Sequence, residues 1–320
     1  TFIASPLDAQ DKPVPRIPSV EDAPIAYLLD ATSGQILYER DIDRRFMPAS
    51  ITKVMTTFLA FEWMEEGRLF PQQVYGVRPD TFREWNHKGS TMFLPADARV
   101  TVDDLLHGIT TVSANDGAVV LAEGAAGSVE DWVAAMNAKA HQIGMSNSHY
   151  GTPNGWMDNG KTFVTARDLG TLAQAMVTRH PSKYHHFVGA KGLKYNGIEQ
   201  RNHDPISGVV PGADGIKTGF TNAAGYNLVA SAQRGDRRII ATVFGGTSTA
   251  NRNAQVMKLL DKGFASQPGQ AAPAQAPALV AAAPALGPTS GAHTIRVTGV
   301  VRRSLRPQQR PGTAAAAPVL

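Results

Sequence analysis

An α+β fold is predicted, with an antiparallel sheet formed by the two ends of the chain and helices segregated between them. Three observations predict it. Residues 23–41 read as two short strands, residues 48–181 carry helical periodicity and caps, and residues 213–245 turn β-rich before a last helix. Strands, helices, strands is the order of separate layers, not of alternating βαβ units.

The elements follow in order. "APIAYLLDATSGQILYERD" (23–41) reads as two strands joined by a turn at Thr32-Ser33-Gly34. "PASITKVMTTFLAFEWMEEG" (48–67) places Ile51, Val54, Met55, Phe58 and Leu59 on one stripe, which predicts an amphipathic helix stopped at Gly67. The segment around Val102–Ala126 is helical on both sides of a break at Ser113-Ala114-Asn115. Ser128 with Asp131, and Thr165 with Asp168, have the spacing of capping boxes opening two more helices. Residues 226–232 and 237–245 form a hairpin about "RGD", and a final helix runs from about Ala250 to Phe264.

The domain plan is a leader at 1–22, one folded domain at 23–265, a Pro/Ala-rich linker at 266–294 and a short basic tail at 295–320. The leader has the look of a signal-peptide remnant. The tail is too small for a domain and lacks an apolar helical face, so it gives no support to membrane association. The net charge of +4 belongs to the end of the chain. Residues 263–320 hold five arginines and no acid, which leaves the remainder near neutral. A nucleic-acid partner, which needs a basic patch on the fold, is disfavoured. The absence of cysteine excludes disulfides and thiol catalysis. No apolar run reaches the ~18 residues of a membrane span.

Three motifs interrupt the elements. Ser50-Ile-Thr-Lys53 is S-x-x-K, Ser113-Ala-Asn115 is S-x-N, and Lys217-Thr218-Gly219 is K-T-G, each occurring once. A chain of this length holds roughly one of each of the first two by chance, and K-T-G about one time in ten. In isolation they say little. Together, in this order and in these settings, they form the signature of serine acyl-enzymes. A serine hydroxyl needs a base to take its proton. Residues three apart share a helix face, so Lys53 reaches Ser50. Its amine must be neutral to serve, which requires burial or a nearby cation, and Lys217 offers that charge. A helix start also directs backbone N–H groups at Ser50. A glycine at 219 lets substrate backbone approach the strand. The structural alternatives are plain ones: caps at Ser50 and Ser113, an edge charge at Lys217, surface ion pairs at Arg201 and Arg252.

The strings "PASITKVMTT", "TARDL" and "DGIKTGFTNAAGYNLVASA" resemble the serine D-alanyl-D-alanine carboxypeptidases, the low-molecular-mass penicillin-binding proteins (peptidase family S11), from about Ala23 to Phe264. The resemblance implies a β-lactamase/D,D-peptidase-like fold with an inserted helical subdomain. It implies a periplasmic or extracytoplasmic hydrolase that removes the terminal D-Ala of peptidoglycan stem pentapeptides through an acyl-enzyme on Ser50, and that binds β-lactams covalently. Lys53 is then the general base, Ser113 the proton shuttle and Lys217 a further catalytic residue. Asn115, Thr218, Gly219, Arg252 and Arg201 bind substrate, and the backbone N–H of Phe220 is an oxyanion donor. No cofactor and no metal are expected. His185-His186 reads as a loop pair, and the nine histidines form no H-E-x-x-H set.

Two departures bear on the pocket. Phe220 stands where many relatives have His, and "GTPNGWMDNGKTF" stands where they often read N-P-H-G-L. Class A β-lactamases carry a glutamate in E-x-x-L-N, a string missing here, so slow release of penicillin is expected. The alternatives within the same fold are a D,D-endopeptidase that cuts cross-links and a non-catalytic wall-binding protein.

Overall fold

In the computed structural model of the chain, which describes residues 23–266, β1 (Ile25–Asp30) is buried at every position. A strand buried on both faces needs cover on both, and the sheet provides it. Ile25, Tyr27 and Leu29 join the larger core, while Leu28 joins a second core with Val256 and Leu260. The same period-2 alternation divides Val229 and Ile240 from Leu228, Ala230, Ile239 and Ala241. β1 pairs with β2 (Gln35–Arg40) and with β9 (Arg237–Gly246), β9 with β8 (Gly225–Arg234), and β8 with β7 (Ala213–Thr221). The result is the predicted antiparallel sheet from both chain ends, in order β2-β1-β9-β8-β7. The turn at Thr32-Ser33-Gly34 is held by Asp30, whose carboxylate accepts from the backbone N–H of Thr32 and Ser33.

Between the strand sets lie α1 (Thr52–Glu65), β3 (Val74–Gly76), α2 (Pro79–Trp85), β4 (Arg99–Thr101), α3 (Val102–Thr111), α4 (Asn115–Ala126), α5 (Val129–Gln142) and α6 (Ala166–Arg179). One turn, α7 (Pro181–Lys183), runs into a π-helical segment Tyr184–Val188, and the hairpin β5 (Gly192–Tyr195)–β6 (Ile198–Arg201) follows. The chain closes with α8 (Thr249–Ala265). α6 and α8 cover opposite faces of the sheet: a Cβ on Gly170 would strike the Tyr27 ring at 2.2 Å, and one on Gly263 would meet Leu28 at 3.3 Å. The Ser128 and Thr165 caps are present, each accepting from the backbone N–H of the acid three residues on.

α1 departs from expectation. Its stripe residues are buried, but so are Thr52, Lys53, Thr56, Thr57 and Ala60 around the rest of its circumference. It is an enclosed central helix rather than an amphipathic one. Short hydroxylated side chains make this tolerable, because they find internal acceptors; Thr56 Oγ1 donates to Pro153 O at 2.6 Å. The expected leader and tail, and the linker beyond Ser266, lie outside the described residues. Among the described residues no helix is long and apolar enough to cross a membrane.

Candidate active site

Ser50 sits in a single 3-10 turn, Ala49–Ile51, that leads into α1. It makes no capping bond, so the cap alternative fails. The turn is wedged between two glycines. A Cβ on Gly155 would lie 1.9 Å from Ala49 O, and a Cβ on Gly219 would lie 2.7 Å from Pro48 O and 3.2 Å from Ile51 N. The glycine of K-T-G therefore has a structural task beyond substrate approach: it lets β7 press directly against the serine-bearing turn. Gly155, with φ of +76°, does the same from the other side.

Lys53 is fully buried. Its Nζ lies 3.0 Å from Ser50 Oγ, 2.7 Å from Asn115 Oδ1 and 2.7 Å from Asn154 O. The Asn115 amide is oriented by its other end, since Nδ2 donates to Lys88 O at 3.0 Å. Burial, and then the charge of Lys217, press the Lys53 pKa well below its ordinary value of 10.5. Two of its three neighbours are carbonyl oxygens that only accept. A neutral amine has two N–H groups for them, and its lone pair then faces the Ser50 hydroxyl.

Lys217 is buried on β7 and donates to Thr218 O at 3.0 Å. Burial and the Arg252 guanidinium bring its pKa down to about 7. Lys53 and Lys217 line one small internal void behind the cleft. Ser113 holds a φ of +62° at the break between α3 and α4, and its Oγ is buried without a protein partner. The break is fixed from both sides by Ala114 N donating to Gly108 O (3.0 Å) and Asn115 N to Ser90 O (2.8 Å).

In front of these groups opens a cleft of about 440 Å³. It gathers Ser50, Ser113, Asn115, Thr218, Gly219, Phe220 and Arg252 from four separate parts of the chain. Arg252, in the first turn of α8, is buried rather than a surface ion-pair partner. Its Nε and Nη2 donate to Asn253 Oδ1 at 3.0 and 2.8 Å. Arg201 requires a correction. It ends β6 as an exposed residue lining a different groove with Lys191 and Lys194, two residues before the chain reaches the cleft. The side chain of the loop after β6 that does line the cleft is His203, whose pKa burial, Lys217 and Lys53 hold below 6.5.

Sequence reasoning also missed Trp156, Tyr226 and Asp116. Trp156 and Tyr226 line the cleft; Trp156 stands edge-on to Trp85 at 5.6 Å, and the Tyr226 ring packs tilted by 30° against Phe220 at 4.3 Å. Asp116 follows S-x-N directly, buried, and accepts from Met92 N, Leu94 N and Gly117 N, which ties the rim segment to α4. An acid in the first turn of a helix beside a motif was the available signal. His185-His186 is not in a loop: both belong to the π-helical segment.

With this geometry in view, similarity to known proteins is informative. The D-alanyl-D-alanine carboxypeptidase DacA of Escherichia coli (strain K12) is 37% identical over 255 residues, covering 78% of this chain and 62% of that protein. DacF of Bacillus subtilis (strain 168), of the same description, is 34% identical over 252 residues, covering 76% and 62%. The chain thus spans about three-fifths of the length of the curated relatives it matches. Penicillin binding protein 6B from Escherichia coli superposes with a TM-score of 0.72 at 35% identity, over 79% of this chain and 80% of that one. Penicillin-Binding Protein D2 from Listeria monocytogenes, in its ampicillin-bound form, gives 0.68 at 28% identity, over 77% and 99%. The model of the Peptidase_S11 family, described as D-alanyl-D-alanine carboxypeptidase, matches residues 14–248, and this chain belongs to that family.

Proposed function

We propose that the protein is a serine D,D-carboxypeptidase of the extracytoplasmic cell wall, acting on peptidoglycan stem peptides that end in D-Ala-D-Ala. The observation that carries this reading is the buried Lys53 amine, 3.0 Å from Ser50 Oγ, with carbonyl oxygens at its other two contacts. Lys53 takes the hydroxyl proton as Ser50 Oγ bonds to the penultimate D-Ala carbonyl carbon. Backbone N–H groups of Ser50 and Phe220 stabilise the oxyanion. Ser113, its hydroxyl unpartnered on the cleft wall, relays a proton to the departing amine as the C–N bond breaks. Water then hydrolyses the Ser50 ester.

Asn115 holds the substrate amide, while Lys217, Thr218 and Arg252 receive the terminal carboxylate. The last assignment is favoured by charge: Arg252 lines the cleft close enough to Lys217 to lower its pKa to about 7, and this positive field suits an anionic end group. A β-lactam presents an equivalent amide and carboxylate and would acylate the same serine; the ampicillin-bound form of the Listeria relative supports β-lactam binding. The test is labelling with a fluorescent penicillin beside Ser50→Ala, together with D-Ala release from diacetyl-Lys-D-Ala-D-Ala. Labelling and release by the parent and neither by the variant is the expected result. Equal labelling of the two proteins would remove Ser50 from the mechanism.

A further inference from the structure

We propose a second site, outside the cleft, in which Asp103, His107 and His186 bind a zinc-like divalent transition-metal ion. Asp103 and His107 lie four apart on α3 and so share one face, a turn apart. His186 comes from a different element, the π-helical segment Tyr184–Val188, whose wider turn sets it against α3. His107 Nδ1 is 3.4 Å from Asp103 Oδ2, and His186 Nε2 is 3.4 Å from Asp103 Oδ1. In a tetrahedral site with ligands at about 2.0–2.1 Å, neighbouring donor atoms stand about 3.3–3.4 Å apart. Both separations have that value, each to a different oxygen of the carboxylate, so binding through one oxygen requires the Asp103 carboxylate, 41% exposed, to turn. The third, between the imidazole nitrogens, lies within 4.8 Å. His186 is 59% exposed, so its ring is free to close that gap, and solvent reaches the fourth position.

The surroundings suit such an ion. The His107 and His186 rings meet edge-on at 4.9 Å, and both contact Phe187, at 4.9 and 4.5 Å, so the two imidazoles already lie beside each other. Two imidazoles and one carboxylate favour zinc, nickel or copper over magnesium or calcium, which want oxygen ligands and higher coordination. In the metal-free form His107 Nδ1 faces Asp103 O at 3.0 Å. Binding takes that nitrogen's lone pair, with the ring proton moved to Nε2, so the neutral imidazole needs no net proton release. The ion joins α3 to the segment it already touches through Thr110 Oγ1 donating to Phe187 O at 2.8 Å. Since α3 ends just before Ser113, the site acts as a clamp behind the catalytic wall without touching it.

The test is titration of the full chain with zinc alone, by calorimetry and by thermal unfolding, with magnesium as the comparison. Expected are one zinc per chain, a Tm that rises with zinc, and no response to magnesium. His186→Ala and Asp103→Asn weaken binding at least tenfold and erase the Tm shift, whereas the adjacent His185→Ala leaves both unchanged. His186 is exposed, so its variant retains the fold, which far-UV circular dichroism of the metal-free proteins checks. Zinc binding that survives His186→Ala and Asp103→Asn, or equal response to magnesium, overturns the proposal and assigns the affinity to other residues.

Discussion

Lys53 Nζ approaches Ser50 Oγ to 3.0 Å from a side chain with no exposed surface, and its remaining contacts are the carbonyl oxygens of Asn115 and Asn154. The lysine is thus buried where its charge is least favoured and aimed where its lone pair is most useful.

Penicillin acylation should therefore rise with pH through the lowered pKa of Lys53 and then level off, since the neutral amine is the proposed base. Lys53→Met abolishes the rise and slows acylation on the order of 10²–10⁴-fold. A stability signature accompanies it. Between its folded pKa and 10.5 the unfolded chain binds a proton at Lys53 that the native protein does not, so native stability increases with pH across that window. Below the folded pKa the penalty is fully present. Lys53→Met should flatten this slope; thermal unfolding from pH 6 to 10 measures it, and an unchanged slope contradicts a neutral Lys53.

Ser113 separates activity from stability. Its Oγ has no protein partner, and its φ is +62°. Ser113→Ala removes no hydrogen bond and should leave Tm within about a degree, while D-Ala release falls on the order of 10²-fold or more. Ser113→Gly relieves the left-handed backbone, stabilising by roughly 1 kcal/mol, with activity equally low. A Ser113→Ala protein with parental turnover ends the proton-relay assignment.

These contrasts show what the sequence made legible. The settings of Ser50, Ser113 and Lys217, at a helix start, a helix break and a strand, were readable because each motif sits beside a strong local signal. The helix–break–helix around Ser113 and the closing hairpin followed from strong local signals. α1 was misjudged because burial of Thr52, Thr56 and Thr57 depends on neighbours distant in sequence. Arg201 was misplaced because spacing along the chain does not fix where the loop to β7 turns. The β5–β6 hairpin was readable and was not read: Asn196-Gly197, with φ of 47° and 76°, is a two-residue turn with left-handed backbone at both positions. β3, α2 and β4 are too short for periodicity to register.

Gly155 tests whether the serine turn is positioned by its neighbours. A Cβ there meets Ala49 O at 1.9 Å, and the adjoining Asn154 and Pro153 carbonyls accept from Lys53 and Thr56. Gly155→Ala must displace one backbone from the other. It should destabilise by on the order of 2–3 kcal/mol and slow penicillin labelling in the fraction that remains folded, although Gly155 has no reacting group. Urea unfolding and a labelling time course measure both, and native values for each would show that the turn holds itself.

The proposed role of Arg252 is to recognise the free end of the substrate from the cleft wall. Asn253 holds Nε and Nη2, and among the described residues Nη1 has no hydrogen-bond partner. A guanidinium so oriented, near enough to Lys217 to depress its pKa, has donor capacity left for a carboxylate. The parent should prefer diacetyl-Lys-D-Ala-D-Ala over the same peptide ending in a carboxamide. Loss of a charged hydrogen bond is about 1.5–3 kcal/mol, so Arg252→Ala should lower kcat/KM for the acid roughly 10–100-fold. The amide, which never made that bond, should change much less, so the acid-to-amide ratio falls towards one. A folding defect would lower both substrates together and leave the ratio intact. Parallel kinetics on the two peptides therefore distinguish carboxylate recognition from a merely structural arginine, and an unchanged ratio returns the task to Lys217 and Thr218.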